Sequence, residues 1–248
     1  MNTLAGFSLQ GQRALVTGGS RGIGGAIADG LAAAGAEMNI VARSSGPCEA
    51  KAKALGGRAF PCDVTQHDAF KLAMDAAGGD PGLDIFVACA GASHSGSASS
   101  LAMSDLQRMF EIHVKAAIYG AQLAAEQMRK AGKGGSILLV TSVWGLGGQP
   151  GTLAYGTAKA ALAHAVRVLA IEWARDNIRV NGLAPGFVDT DMTADVGDVV
   201  RGKLLARVPM RRAAKPEEMA GPALFLCSPA ASYVTGQILA ADGGERAR

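Results

Sequence analysis

Arg13-Ala14-Leu15-Val16-Thr17-Gly18-Gly19-Ser20-Arg21-Gly22-Ile23-Gly24 is a short apolar run that breaks into a glycine-rich turn. Residues 26–34 continue as a helix, and Gly35 stops it. Strand, glycine turn and helix, in that order, are the setting in which the pyrophosphate of a dinucleotide is held. Glycines let the backbone approach the phosphates, and the helix start offers amide donors in a positive potential. Gly18, Ser20, Arg21, Gly22, Ile23 and Gly24 are therefore candidate cofactor contacts. The spacing is Thr-Gly-x-x-x-Gly-x-Gly, not the commoner Gly-x-Gly-x-x-Gly. A glycine turn alone is a weak signal; its place between strand and helix gives it weight.

About 20 residues beyond such a turn, a unit built for NAD carries an acid for the ribose 2′-hydroxyl. Here the second strand, 38–42, ends in Ala42-Arg43, and Arg21 stands in the turn itself. Two cations and no carboxylate favour a 2′-phosphate, hence NADP(H) over NAD(H). A simply solvated Arg43 is the competing reading.

The rest of the chain repeats the alternation. Residues 47–55 read as a helix, 58–61 as a strand closed by Asp63-Val64, 67–77 as a helix and 84–88 as a strand running into Cys89-Ala90-Gly91. A small-residue loop, 93–100, leads to a long helix over 104–129, with an acid at its start and bases at its end. Then follow a strand (136–141), a helix (153–174), a strand (178–184) broken by Pro185-Gly186, and a variable segment (188–212). A helix (216–227) and a seventh strand (237–240) complete the chain. This reads as α/β, one domain over 1–248 with a doubly wound parallel sheet and a lid at about 188–212.

Composition narrows the function classes. The 248 residues are 49% hydrophobic and 18% charged, enough apolar material for a large core. A net charge of +3, with no basic stripe, gives no case for nucleic acid. No 18-residue apolar stretch and no basic-then-apolar N-terminus argue for neither membrane insertion nor secretion. Cys48, Cys62, Cys89 and Cys227 are scattered without metal-ligand spacing, which suits reduced thiols in a cytoplasm and no metal site.

Tyr155-Gly156-Thr157-Ala158-Lys159 carries the chemistry. Residues four apart share a helix face, so phenol and ammonium can serve one site. A cation about 4 Å from a phenolate, at an effective dielectric of about 20, is worth roughly 4 kcal/mol. At about 1.36 kcal/mol per pKa unit, that would bring a phenol from ~10 towards ~7, where proton transfer is efficient. Tyr-x-x-x-Lys is also common by chance on solvated helix faces. Convergence separates the two readings, since Gly18–Gly24, Cys89-Ala90-Gly91, Ser142 and Pro185-Gly186 all fall at carboxyl ends of strands, where ligands of open parallel sheets bind.

Together these residues resemble the short-chain dehydrogenase/reductase family over nearly the whole chain, and its oxoacyl-reductase-like branch in particular. The matches are Thr17-Gly18-x-x-x-Gly22-Ile23-Gly24, Asp63-Val64, Ala90-Gly91, Ser142, Tyr155-x-x-x-Lys159, Pro185-Gly186-x-x-x-Thr190 and Asp242-Gly243-Gly244. The resemblance implies hydride transfer between a nicotinamide and a carbonyl/alcohol pair. Tyr155 would be the acid in reduction and the base in oxidation. Lys159 would lower its pKa and hold the nicotinamide ribose. Ser142 would bond the substrate oxygen, Asp63 and Val64 would border the adenine, Gly91 would line the ribose, and Val188 and Thr190 would hold the carboxamide.

Two departures stand out. Cys89 replaces an asparagine of the cofactor loop and reads as a small buried residue more readily than as a reactive thiol. His113 stands where the family has an active-site asparagine holding a water in line with the lysine. Either the imidazole keeps that proton path, by bonding the water or the backbone, or it merely packs in the helix.

His94, Trp144, Gln149 and Gly186 are candidate substrate neighbours, although His94 also reads as a surface residue and Trp144 as a core aromatic. Arg129, Lys130 and Lys133 form a basic cluster that an acyl carrier protein could meet, or an ordinary helix C-terminus. Family members pair through their two long helices, which points to a homotetramer here. The substrate, a 3-oxoacyl thioester, a sugar or polyol, or another small alcohol, stays open. A non-catalytic NADP(H)-binding sensor or scaffold is the alternative from another class, motivated by His113 and Cys89.

Overall fold

Apolar runs without polar alternation become parallel strands when helices cover both faces of the sheet. In the computed structural model, which describes residues 3–247, these strands are β1 (Arg13–Thr17), β2 (Glu37–Ala42), β3 (Arg58–Pro61), β4 (Ile85–Ala88), β5 (Gly135–Val140), β6 (Ile178–Pro185) and β7 (Ile238–Ala241). Met1, Asn2 and Arg248, the ends of the stretch read as one domain, lie outside the described residues. All seven strands run parallel in one sheet of order β3-β2-β1-β4-β5-β6-β7. Thr17 of β1 stands beside Val41 of β2 on one side and Ala88 of β4 on the other. Strand order reverses between β1 and β4, which opens a crevice at their carboxyl ends.

Successive side chains along a strand face opposite ways, and the core divides accordingly. Leu15, Phe86 and Leu139 point to one side with Phe70, Met74, Met128 and Val166. Val16, Val87 and Leu138 point to the other with Ile27, Leu31, Ile40 and Leu226. The first layer is covered by α3 (His67–Gly78), α5 (Ala116–Ala131) and α6 (Leu153–Trp173), the second by α1 (Gly22–Ala33), α2 (Ser45–Ala54) and α8 (Ala220–Cys227). Truncating one of these fully buried side chains, Phe70→Ala for instance, costs about 3–5 kcal/mol.

Four element readings change. The first helix starts at Gly22, so Gly22-Ile23-Gly24 form its first turn. The long helix read over 104–129 is three pieces: α4 (Met103–Phe110), a π-helical turn (Glu111–Lys115) and α5. A π turn inserts an extra residue and turns a side chain inward, a feature that periodicity does not reveal. The variable segment holds a helix, α7 (Asp198–Leu205), and the helix read over 216–227 begins as a 3₁₀ turn (Pro216–Met219). Among the described residues no helix is long and apolar enough to cross a membrane, and no cluster of three metal-ligating side chains occurs.

Candidate active site

The carboxyl ends of β1, β4, β5 and β6 supply one site. At β1 the chain turns through Gly18 at φ +66° and Gly22 at φ +56°, left-handed values that favour glycine. A Cβ on Gly24 would collide with the carbonyl oxygen of Gly18, so the helix start packs directly on the turn. Arg21, the N-cap of α1, contributes no side-chain cap. The first-turn amides are thereby left for an external acceptor, in the positive potential of a helix start. A close-packed backbone cradle of this kind fits the pyrophosphate of a nicotinamide dinucleotide.

Thr17 ties this cradle to the next loop. Its hydroxyl accepts hydrogen bonds from the amides of Cys89 (3.1 Å) and Ala90 (3.2 Å). Cys89 is held protonated, its thiol pushed up to about 11 by burial. Asp63 Oδ1 accepts from the amide (2.9 Å) and hydroxyl (2.8 Å) of Thr65, which orders the turn after β3, and Val64 is buried there. Arg43 is exposed and makes no ion pair or hydrogen bond among the described residues. Arg21 reaches Asp191 instead of standing free, Nη1 to Oδ2 at 2.9 Å.

At β5, Ser142 caps the 3₁₀ turn Val143–Gly145 by accepting from the amide of Trp144 at 3.2 Å. A Cβ on Gly145 would lie 2.6 Å from the Lys159 backbone carbon, so this turn presses on α6 one helical turn beyond Tyr155. Tyr155 is thereby set beside Ser142. Trp144 meets its ring edge-on at a centroid distance of 6.1 Å, and His113 does so from another direction at 5.2 Å and 89°. Trp144 is thus a wall of the tyrosine's surroundings as well as part of a small cluster with Phe187 and Leu204.

Lys159 lies on the same helix face, as its spacing from Tyr155 requires, but its charge is used differently from the sequence expectation. Its Nζ donates to the carbonyl of Val140 at 2.7 Å and lies 5.7 Å from the Tyr155 ring centroid. Burial brings the ammonium down to about 8. Burial likewise pushes the Tyr155 phenol up to about 12, against the opposing hydrogen bond with Ser142. In the cofactor-free chain burial thus raises the phenol, the opposite direction from the fall that the spacing suggests, while the ammonium lies over the ring and is bonded to backbone. In this geometry Tyr155 holds its proton firmly and gives it up only to a stronger base, such as a nascent alkoxide.

His113 is 2% exposed at the centre of the π turn. Its Nε2 lies 2.7 Å from the Ala92 carbonyl, which makes Nε2 the protonated nitrogen, donating to that oxygen. Burial, and after it the Lys159 ammonium, lowers the imidazole to about 3, so it is neutral. A Cβ on Gly91 would lie 2.6 Å from its Cε1, so the ring needs a glycine opposite it. Of the two sequence readings of His113, the backbone bond is present.

At β6, the amide of Gly186 donates to Ala241 at 3.0 Å. Val188 is buried, and the Thr193 hydroxyl bonds the Val188 carbonyl (2.7 Å) while accepting from the Thr190 amide (3.0 Å). Gln149 accepts a bond from Arg207 at the end of the variable segment. His94 is largely enclosed, with Nε2 3.4 Å from Asp105 Oδ2, so it is not the open surface residue that its serine-rich loop suggests. Asp105, Asp191 and Arg207 were not legible as neighbours of the site. Arg21 and Asp191 are 170 residues apart, and no local pattern links them.

A dinucleotide cradle at the switch point of a parallel sheet, with a tyrosine–lysine pair and a serine at neighbouring strand ends, defines a class: nicotinamide-dependent oxidoreductases of the Rossmann type. A family model described as enoyl-(acyl carrier protein) reductase matches residues 18–245. The chain is 38% identical to the 7alpha-hydroxysteroid dehydrogenase of Escherichia coli (strain K12) over 95% of its length and 94% of that protein's. The solved structure of 7 alpha-hydroxysteroid dehydrogenase complexed with NADH and 7-oxo glycochenodeoxycholic acid superposes with a TM-score of 0.92 at 36% identity, covering 98% of both chains. That of a gluconate 5-dehydrogenase from Burkholderia cenocepacia J2315, in complex with NADP and tartrate, gives 0.94 at 30% identity over 100% of both. The chain belongs to the short-chain dehydrogenase/reductase family. It is an NAD(P)-dependent oxidoreductase that acts on CH–OH and C=O groups.

Proposed function

We propose that Ser142, Tyr155 and Lys159 form the catalytic centre of an NADP(H)-preferring carbonyl reductase or alcohol dehydrogenase. The observation that carries this is the placement of Tyr155: bonded to Ser142, met edge-on by His113 and Trp144, and with the Lys159 ammonium over its ring. NADPH, when bound, supplies the hydride that reduces a carbonyl carbon. Tyr155 donates its proton to the nascent alkoxide, and Ser142 holds that oxygen. Lys159, bonded to Val140 and buried with its ammonium over the ring, stabilises the tyrosinate once it forms. His113 acts as a positioning residue, fixing the Tyr155 ring and the Ala92 loop. In oxidation the same groups run in reverse.

Gly18, Ser20, Gly22, Ile23 and Gly24 would hold the pyrophosphate. Asp63 and Val64 would border the adenine, Ala90 and Gly91 the ribose, and Pro185, Gly186, Val188 and Thr190 the nicotinamide side. Arg21 and Arg43, with no carboxylate after β2, support NADP(H) over NAD(H). Segment 188–212 serves as a substrate lid, with Trp144, Gln149, His94 and Gly186 about the pocket. The exposed stripe of Leu153, Val168 and Ile171 on α6 supports a homotetramer paired through its long helices. An acyl carrier protein finds less support, since Arg129 is paired with Asp176 and Lys130 with Glu126. Four free cysteines suit a reducing, cytoplasmic setting.

Tyr155→Phe tests the assignment. Turnover on a carbonyl panel should fall by at least about two orders of magnitude, as for loss of a general acid, with NADPH binding retained and tighter than NADH. Undiminished turnover would remove Tyr155 from the chemistry, and equal binding of the two cofactors would remove the NADP(H) preference.

A further inference from the structure

The ion pairs around the root of segment 188–212 single out Asp191. The Arg21–Asp191 bond is the one side-chain ion pair, among the described residues, that joins the glycine turn to this segment. The two pieces of backbone meet beside it: a Cβ on Gly22 would lie 3.6 Å from Thr190 Cγ2. The start of the segment has a second anchor that does not involve Arg21. Arg201 of α7 bonds Asp189 at 2.6 Å, and its guanidinium lies 5.4 Å from the centre of the Phe187 ring. Both Arg21 and Asp191 are well exposed, at 72% and 73%, so their bond is the part of this anchorage most easily exchanged for another.

We propose that Asp191 is a specificity-determining residue: it competes with the 2′-phosphate of the cofactor for Arg21. The inference rests on the reading of Arg21 as a phosphate ligand. A guanidinium satisfies one oxyanion best as a two-pronged donor, and a dianionic phosphate outbids a single carboxylate. Binding NADPH therefore withdraws Arg21 from Asp191 and loosens the root of the segment, whereas NADH leaves the bond intact. The loss of that bond is a cost that only NADPH bears, so this chain discriminates between the two cofactors less than its arginines alone would allow. By linkage, whatever holds Asp191 on Arg21 weakens NADPH binding by the same factor.

The test is a double-mutant cycle on cofactor affinity, with Kd for NADPH and NADH measured by quenching of protein fluorescence in the full chain. Asp191→Asn should raise the preference for NADPH by about two- to fivefold, the range open to an exposed ion pair. In an Arg21→Gln background the same substitution should leave the preference unchanged. In ~0.5 M salt the effect should shrink, because exposed charges are screened. An equal gain for both cofactors, or a gain that persists without Arg21, would overturn the competition. Should Arg21→Gln alone leave the wild-type preference intact, Arg21 is no phosphate ligand and the competition falls with it. Should Arg21→Gln lower the preference while Asp191→Asn does nothing, the phosphate reading survives and only the competition is lost.

Discussion

Replacing His113 probes the least family-like part of the site. The imidazole donates to Ala92 at 2.7 Å, meets the Tyr155 ring edge-on at 5.2 Å and is 2% exposed. His113→Leu keeps much of the volume but takes the donor from the part-buried Ala92 carbonyl, at about 1–3 kcal/mol. Losing the edge-to-face contact adds about 0.5–1.5 kcal/mol, so about 1.5–4.5 kcal/mol of stability should go. There is also a pH signature. The folded imidazole is held at about 3, below its ordinary 6.5, so the unfolded chain takes up the proton first. Stability from this group is full above about 6.5 and falls as pH drops towards 3, by up to about 1.4 kcal/mol per pH unit. Urea unfolding of wild type and His113→Leu at pH 7 and pH 5 should show the gap narrowing in acid, because the leucine variant lacks this term. His113→Asn should lose activity as well, through a looser Tyr155, with kcat falling more than KM rises. A gap that does not change with pH, or equal activity of all three proteins, would refute the positioning role.

Three further outcomes follow from the same geometry. In the cofactor-free protein, Tyr155 should not ionise below about pH 10, since burial takes it to about 12; a tyrosinate absorbance near neutrality that disappears in Tyr155→Phe would contradict this. Gly24→Ala forces a methyl group into the Gly18 carbonyl, so cofactor binding should drop by at least about tenfold while the far-ultraviolet dichroism is kept. Ile171→Glu, which charges an 80% exposed position on α6, should shift light scattering from tetramer towards smaller species at micromolar concentration; a wild-type monomer would dismiss the tetramer outright.

Much of the fold was legible because its signals are local. The apolar runs at 13–17, 136–141 and 178–184 become β1, β5 and β6 within a residue or two, since strands buried on both faces need uninterrupted hydrophobic side chains. The site was legible where chemistry depends on spacing along one element, as for the glycine turn and the Tyr155–Lys159 pair. His113 was legible as a departure, but the turn that buries it was not, because a π turn breaks the periodicity that reads helices. Beyond the seventh strand, Asp242 accepts the amides of Gly244 and Arg246, a turn not anticipated from the sequence.

By itself the sequence determined the alternation of strands and helices, the cradle after β1 and the face shared by Tyr155 and Lys159, because each is set by neighbours a few residues away. Only the tertiary structure decided what those groups became. It brought Lys159 to the Val140 carbonyl, Arg21 to Asp191 and His113 to Ala92, and it buried the phenol so that desolvation raises it. The reason is physical: protonation and pairing depend on how much water the packed chain removes and which distant groups it delivers, and neither quantity is carried by local spacing.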